Sequence, residues 1–140
     1  MFIKINERKT KNKAMKLFID DIRNAPDDKW AVARSVSEAI RFIAFFGLEI
    51  EEISIDHDIS HQIGMGALSR PYPCSETFTA VAYFIAEFYA NRRHIKPPKI
   101  VIHSSNIVGV ETIQSILGKR EIHSEIEMRG AANRLEMEVK

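Results

Sequence analysis

The sequence predicts an α/β fold, a three-layer sandwich with a central, mainly parallel sheet. Short and largely apolar runs are typical of strands covered on both faces, and the chain contains four: residues 16–19, 30–33, 52–55 and 99–102. Longer segments with apolar residues at helical spacing separate the later strands: residues 36–46, 77–93 and 109–117. This alternation favours parallel strands joined by right-handed crossovers, with helices on both faces of the sheet.

The N-terminal part of the chain holds two predicted strands with no full helix between them. Residues 1–14 are a predicted basic arm, for which loose order in solvent and phosphate binding are the two interpretations. The apolar run 16–19 ends abruptly at Asp20-Asp21. The next residues, Asn24-Ala25-Pro26-Asp27-Asp28, are types that favour turns. We therefore expect the first helix to be reduced to a turn before the strand at 30–33.

A capped helix, a third strand and a long loop follow. Ser35 lies three residues before Glu38, which is the spacing of a capping box, and Gly47 is a suitable end for the helix. After the strand at 52–55, residues 59–74 contain two glycines and two prolines. Loops of this length in a compact domain are usually lids or binding segments.

Two helices, one strand and an irregular end make up the remainder. The helix that begins at Thr77 is terminated by Pro97-Pro98, and the last helix closes at Gly118. Residues 119–140 contain two alternating stretches, which indicate a hairpin or edge strands. No internal repeat interrupts the pattern, so residues 15–140 are predicted to form one domain.

The composition excludes several classes of protein. A chain of 140 residues with 45% hydrophobic and 28% charged residues can form one folded core. A formal net charge of +1 gives no general attraction to nucleic acid or to an anionic membrane. The single cysteine, Cys74, excludes an internal disulfide and a multi-cysteine zinc site. Because the sequence shows neither a membrane span nor a signal peptide, we expect a cytoplasmic protein with no membrane partner.

Ionisable side chains follow three of the predicted strands where each strand ends. These groups are Asp20-Asp21, Asp56-His57-Asp58 and His103-Ser104-x-Asn106. Alone, an aspartate or asparagine at such a place is explained by a helix cap or an Asx turn, and a single histidine by a structural hydrogen bond. Parallel strands, however, place all three groups at one edge of the sheet. Carboxylates crowded there repel one another by about 1–4 kcal/mol per close pair, which favours a bound cation. Carboxylates suit Mg²⁺ or Mn²⁺, and a histidine ligand shifts the preference toward Mn²⁺, Fe²⁺ or Zn²⁺.

Phosphate-ester chemistry is the reaction class that these residue types suit best. A divalent ion polarises a phosphoryl oxygen and activates water, while an imidazole transfers a proton near neutral pH. The predicted metal ligands are Asp20, Asp21, Asp56 and Asp58. The predicted catalytic residues are His57, His103 and Asp56, the histidines for proton transfer or coordination and the aspartate as a general base.

Four further residues are candidates for holding the substrate. Arg23 can bind a phosphate bidentately, and Ser104 and Asn106 offer donors at the start of a helix, where the helix dipole favours an anion. Thr77 is the fourth candidate, although helix capping already explains a threonine there. Arg34 has two interpretations, as part of the site or of a surface salt bridge.

Taken in order, the same residues form one combined pattern. It reads Asp20-Asp21-x-Arg23, then Asp56-His57-Asp58, then His103-Ser104-x-Asn106-x-x-Gly109. Over about residues 15–118 the chain resembles the cyclic-phosphate processing receiver-like family. The resemblance implies a receiver-like, flavodoxin-type fold and a substrate such as the 2′,3′-cyclic phosphate end of an RNA or a cyclic nucleotide. It also implies that Asp20-Asp21 match the Mg²⁺-binding pair of response-regulator receivers and that Asp56 matches their phosphate acceptor.

The chain departs from signalling receivers at three places. The first helix is shortened to a Pro-containing turn, His103-Ser104 stands where receivers usually have a serine or threonine at the end of the fourth strand, and no later strand ends in Lys-Pro. We therefore predict a metal-assisted phosphodiesterase, a hydrolase that uses Mg²⁺ or Mn²⁺ to process a cyclic phosphate. The alternatives are a module that binds a cyclic nucleotide or signal without cleaving it, and a degenerate signalling receiver that is phosphorylated on Asp56.

Overall fold

In the part of the chain that the structure describes, five parallel strands form one sheet. The computed structural model describes residues 15–59 and 77–127, and the predicted basic arm, most of the long loop with Cys74, and the end of the tail lie outside this range. The strands are β1 (Met15–Ile19), β2 (Trp30–Ala33), β3 (Ile50–Ile55), β4 (Lys99–His103) and β5 (Glu125–Glu127). Their spatial order is β2-β1-β3-β4-β5, and every neighbouring pair is parallel. The predicted α/β fold of the receiver type is confirmed.

Three helices connect the later strands. They are α1 (Val36–Phe46), α2 (Thr79–Ala90) and α3 (Ile107–Lys119), and a 3₁₀ turn (Gly47–Glu49) joins α1 to β3. The connection between β1 and β2 contains no helix, as the turn chemistry of that segment predicts. None of these helices has the length and hydropathy that crossing a bilayer requires.

The described helices share one face of the sheet, and no helix on the other face, which the sequence predicts, is among the described residues. The connections β2–α1–β3, β3–α2–β4 and β4–α3–β5 all step in the same direction across the sheet, so right-handed crossovers place their helices on the same side. On that side α2 packs between α1 and α3. The strands contribute alternate residues to this core, which are Leu17, Ile19, Ile53, Ile55, Ile100 and Ile102. This layer fixes which strand residues point away from the helices.

The opposite face carries a smaller aromatic layer. Phe18 is fully buried but lies outside the helix-side core, since successive residues of a strand point to opposite faces. Its ring contacts Trp30 edge-on, at 6.1 Å between centroids, and stacks on the ring of His103 at 4.6 Å. A cavity of about 420 Å³ lies on this face, and Pro26 and Ser54 are among the residues that line it.

The ends of α1 and α2 show how local contacts adjust the predicted boundaries. The Ser35 hydroxyl accepts the amide of Glu38 at 3.1 Å, as predicted, but the Glu38 carboxylate accepts the amide of Arg34 rather than that of Ser35. Helix α2 begins at Thr79, two residues later than predicted. The reason is that Phe78 is fully buried and its amide donates to the His57 carbonyl at 2.8 Å, which ties the start of the helix to β3.

Helix α3 is longer at both ends than its apolar spacing predicts. It begins at Ile107 because the Asn106 side chain accepts the amide of Gly109 and caps the first turn. It continues past Gly118 to Lys119. Just after the helix, Glu121 adopts the left-handed backbone conformation, with φ of 64°, and the next residue, Ile122, is buried. The tail contributes β5, one short strand parallel to β4, and residues 128–140 lie outside the described range.

Candidate functional site

The three predicted groups of polar residues meet at the carboxyl ends of β1, β3 and β4. These strands are neighbours in the sheet and run in the same direction, so their ends lie side by side. The clearest evidence is the contact between His103 Nε2 and Asp20 Oδ2, which are 2.9 Å apart although 83 positions separate the residues. A second contact links β3 to the segment after β4, because the Asn106 amide lies 3.3 Å from Asp58 Oδ1.

Three carboxylates form a buried cluster at this edge. One oxygen from each of Asp20, Asp21 and Asp56 lies within 4.8 Å of the others, and all three residues are buried. Buried carboxylates so close together repel one another unless a positive charge or a proton offsets them. Oxygen donors from three carboxylates suit a hard divalent cation such as Mg²⁺ or Mn²⁺. The acidic cluster therefore fits a metal ion.

Asp20 is held through both of its carboxylate oxygens. Its Oδ1 accepts the amides of Ile22 and Arg23, and its Oδ2 accepts from His103 and lies 3.4 Å from Arg23 Nη1. Burial alone would raise the pKa of Asp20, but these hydrogen bonds, that of His103 first, hold it well below its usual range. Asp20 therefore carries a negative charge, and His103 Nε2 must carry the proton of the bond between them.

Asp56 has the opposite electrostatic character. Its burial, and then the negative charge of Asp20, raise the pKa of Asp56 to about 7 against the lowering effects of the His57 amide and of Arg23. The His57 amide donates to Asp56 Oδ1 at 2.7 Å. Arg23 Nη1 lies 3.6 Å from Asp56 Oδ2. The acidic cluster thus retains a proton near neutral pH, which a bound cation would displace.

The loop after β1 is braced by an arginine whose role the sequence did not reveal. Arg34 Nη1 donates to the carbonyl of Asp20 at 3.1 Å and to that of Arg23 at 2.6 Å. The two interpretations of Arg34 from the sequence were a residue lining the site and a surface salt bridge. Its observed partners are backbone carbonyls, so Arg34 fixes the path of the segment that presents Asp20 and Arg23.

His57 and Asp58 form a second group beside the acidic cluster. His57 Nδ1 lies 2.7 Å from Asp58 Oδ1, and the Asn106 amide contacts the same carboxylate. Among the residues that the structure describes, His57 Nε2 has no hydrogen-bond partner, and 13% of the side chain is exposed. The ring packs against the first turn of α3 at Gly109, where a Cβ atom would overlap it. Asp58, predicted as a metal ligand, thus orients His57 and is not part of the acidic cluster.

Two predicted substrate contacts have local hydrogen-bond partners. The Ser104 hydroxyl accepts the amide of Asn106 at 3.0 Å, so it shapes the turn before α3. Thr77 forms an isolated antiparallel bridge with Asp58, and its hydroxyl donates to Thr79 Oγ1 at 2.7 Å. Thr77 therefore lies beside Asp58, and Ser104 orders the turn that contains Asn106, which contacts the same Asp58 carboxylate.

Two residues around His103 were missed by the sequence analysis. Ser54 Oγ lies 2.7 Å from His103 Nδ1, and the ring of Phe18 stacks on the imidazole with an angle of 4° between the planes. The sequence did contain a signal for Ser54, because this polar residue stands between the apolar Ile53 and Ile55. The alternation of side chains along a strand turns it away from the helices. No comparable signal marked Phe18, whose apolar side chain fits any buried strand.

A comparison with known protein families agrees with this geometry. Residues 15–119 match the family described as the cyclic-phosphate processing receiver domain. The matched range includes the acidic cluster, the His57 group and all three helices. Neither the curated proteins nor the solved structures gave a match.

Proposed function

Since the chain belongs to the family of cyclic-phosphate processing receiver domains, we propose that it is a metal-assisted phosphodiesterase that hydrolyses a cyclic phosphate. The observation that carries this proposal is that the His57–Asp58 pair directly follows Asp56 of the buried acidic cluster, with the His57 amide donating to the Asp56 carboxylate. The substrate class is a 2′,3′-cyclic phosphate, at an RNA end or in a cyclic nucleotide.

The acidic cluster supplies the cation site of this mechanism. Asp20, Asp21 and Asp56 would hold a Mg²⁺ or Mn²⁺ ion, which offers positive charge to a phosphoryl oxygen and lowers the pKa of water. Arg23 lies between Asp20 and Asp56 and is about one-third exposed, so its guanidinium can also face an anionic substrate.

His57 is the proton-transfer group in this proposal. Water attacks phosphorus and gives up a proton, the P–O bond to one ribose oxygen breaks, and that oxygen takes up a proton. His57 Nε2 accepts the first proton and returns it to the leaving oxygen, while Asp58 holds Nδ1 and fixes the orientation of the ring. The product is a phosphomonoester.

The decisive experiment is a hydrolysis assay on 2′,3′-cyclic AMP and on a short RNA with a 2′,3′-cyclic phosphate end, with Mn²⁺ or Mg²⁺. Phosphorus NMR separates the cyclic substrate from the monoester product. We expect His57→Ala to lower kcat by about 10²–10⁴-fold, as loss of a general acid–base group does. His94→Ala is the matched control, because His94 is exposed and lies after α2, and it should retain full activity.

Three outcomes would contradict the proposal. Full activity of His57→Ala would remove the proton-transfer role. Stoichiometric binding of the cyclic nucleotide with intact recovery would indicate a binding module instead. Stable phosphorylation of Asp56 by acetyl phosphate, without hydrolysis of any cyclic phosphate, would indicate a signalling receiver.

A further inference from the structure

A row of three polar side chains crosses the central strands beneath the acidic cluster. Ser54 on β3 contacts His103 on β4, and His103 in turn contacts Asp20 directly after β1. The separations are 2.7 Å and 2.9 Å, and the three residues are 3%, 0% and 0% exposed. Each hydrogen bond joins residues that lie far apart in the chain, so the row exists only in the assembled sheet.

The environment of His103 excludes direct contact with a substrate. The ring has no exposed surface, both of its nitrogens have a partner, and Phe18 covers one ring face. A group that transfers protons to a substrate needs a ring nitrogen within reach of the substrate. His103 therefore acts on the site through Asp20.

The hydrogen bond from His103 determines how the Asp20 carboxylate is oriented. Backbone amides hold Oδ1, whereas Oδ2 is held by His103 and, more loosely, by Arg23. Without His103 the carboxylate could rotate about its Cβ–Cγ bond away from Asp21 and Asp56. Ser54 fixes the other ring nitrogen, so the rotation and tautomer of the imidazole depend on the serine hydroxyl.

Burial of Ser54 and His103 costs free energy, because their polar groups are removed from water. Apolar residues at these two positions would avoid this cost. We propose that Ser54 and His103 are positioning residues, which hold Asp20 in the orientation in which it binds the divalent cation. The inference rests on the proposed cation site and is independent of whether the bound substrate is hydrolysed. Outer contacts of this kind change metal affinity by about 10–100-fold when they are removed.

The test measures Mn²⁺ affinity by isothermal titration and by the signal of free Mn²⁺ in electron paramagnetic resonance. We expect Ser54→Ala to weaken Mn²⁺ binding about tenfold, and His103→Leu to weaken it more. His103→Gln keeps an amide donor near the position of Nε2 and should recover part of the loss. Ser124→Ala is the control for removal of a buried hydroxyl, since Ser124 is buried near β5 and away from the site, and it should bind Mn²⁺ like the native chain.

A second measurement, made mainly on the native chain, tests the inference even if some variants fold poorly. In ¹⁵N NMR spectra of the metal-free native chain, His103 should carry its proton on Nε2, and Ser54→Ala should shift the Nδ1 resonance. Native affinity in Ser54→Ala, an unprotonated Nε2, or failure of the native chain to bind Mn²⁺ would each overturn the inference. Absence of hydrolysis together with the expected affinity changes would overturn only the proposed function.

Discussion

Replacing Gly109 with alanine should lower the activity of the protein strongly but its stability only slightly. Gly109 lies in the first turn of α3, and a Cβ there would overlap the His57 ring, with its Cδ2 at 2.8 Å and two other ring atoms closer. The ring would have to move, and the contact between His57 Nδ1 and Asp58 would be lost. Displacement of a reacting group by about 1 Å lowers the rate about 10²-fold, so we expect a loss of that size in kcat.

The effect of Gly109→Ala on stability is expected to be much smaller. Forcing an extra methyl group into a packed site costs about 1–3 kcal/mol, whereas alanine is favoured over glycine within a helix by about 1 kcal/mol. The net change in the free energy of unfolding is therefore a loss of about 0–2 kcal/mol. Gly118 provides the matched control, because it lies in the same helix and a Cβ placed there meets no described atom within 4 Å beyond its chain neighbours and the backbone of its own helix.

Urea unfolding and hydrolysis of 2′,3′-cyclic AMP, measured on both alanine variants, test this reasoning. Gly118→Ala should be stabilised by up to about 1 kcal/mol and remain fully active. If Gly109→Ala behaved in the same way, the His57 ring would have another position available and its packing against α3 would not matter for function.

Three further predictions concern pH, the metal and local contacts. Because the pKa of Asp56 is raised to about 7 from 3.8, the metal-free protein should lose stability as the pH rises between these values, and Asp56→Asn should flatten that dependence in urea unfolding. EDTA should lower the Tm of the Mn²⁺-loaded protein more at pH 8 than at pH 6, since the cation displaces this proton; equal shifts would contradict the coupling. Arg34→Ala should weaken Mn²⁺ binding and cost about 1–3 kcal/mol of stability through two lost carbonyl contacts, whereas Ser35→Ala should cost about 1 kcal/mol by loss of a cap and leave Mn²⁺ affinity unchanged.

The sequence was sufficient to predict that distant polar groups would meet. Apolar runs identify the central strands, and parallel strands place their carboxyl ends at one edge, so the meeting of Asp20, Asp56 and His103 follows from patterning alone. The roles within that group were not predictable in the same way. Asp56 belongs to the acidic cluster, whereas Asp58, only two residues later, orients the imidazole of His57.

Contacts between different strands account for most of what the sequence left open. Besides Asp20, His103 contacts Ser54 and Phe18, which lie on two other strands, and sequence spacing does not specify which side chains face each other across a sheet. The end of α3 shows a similar limit. Glycine is the usual residue after a helix, but burial of Ile122 places the left-handed conformation at Glu121 instead.

The aromatic contacts of Phe18, on the face of the sheet opposite the described helices, provide an intrinsic fluorescence probe. Trp30 is the single tryptophan of the chain, and it contacts Phe18, which in turn stacks on His103. Its fluorescence therefore arises from an indole two side-chain contacts away from the imidazole that holds Asp20. We expect a paramagnetic, quenching ion such as Mn²⁺, when it binds the acidic cluster, to change this fluorescence, so that binding can be measured on the unlabelled chain.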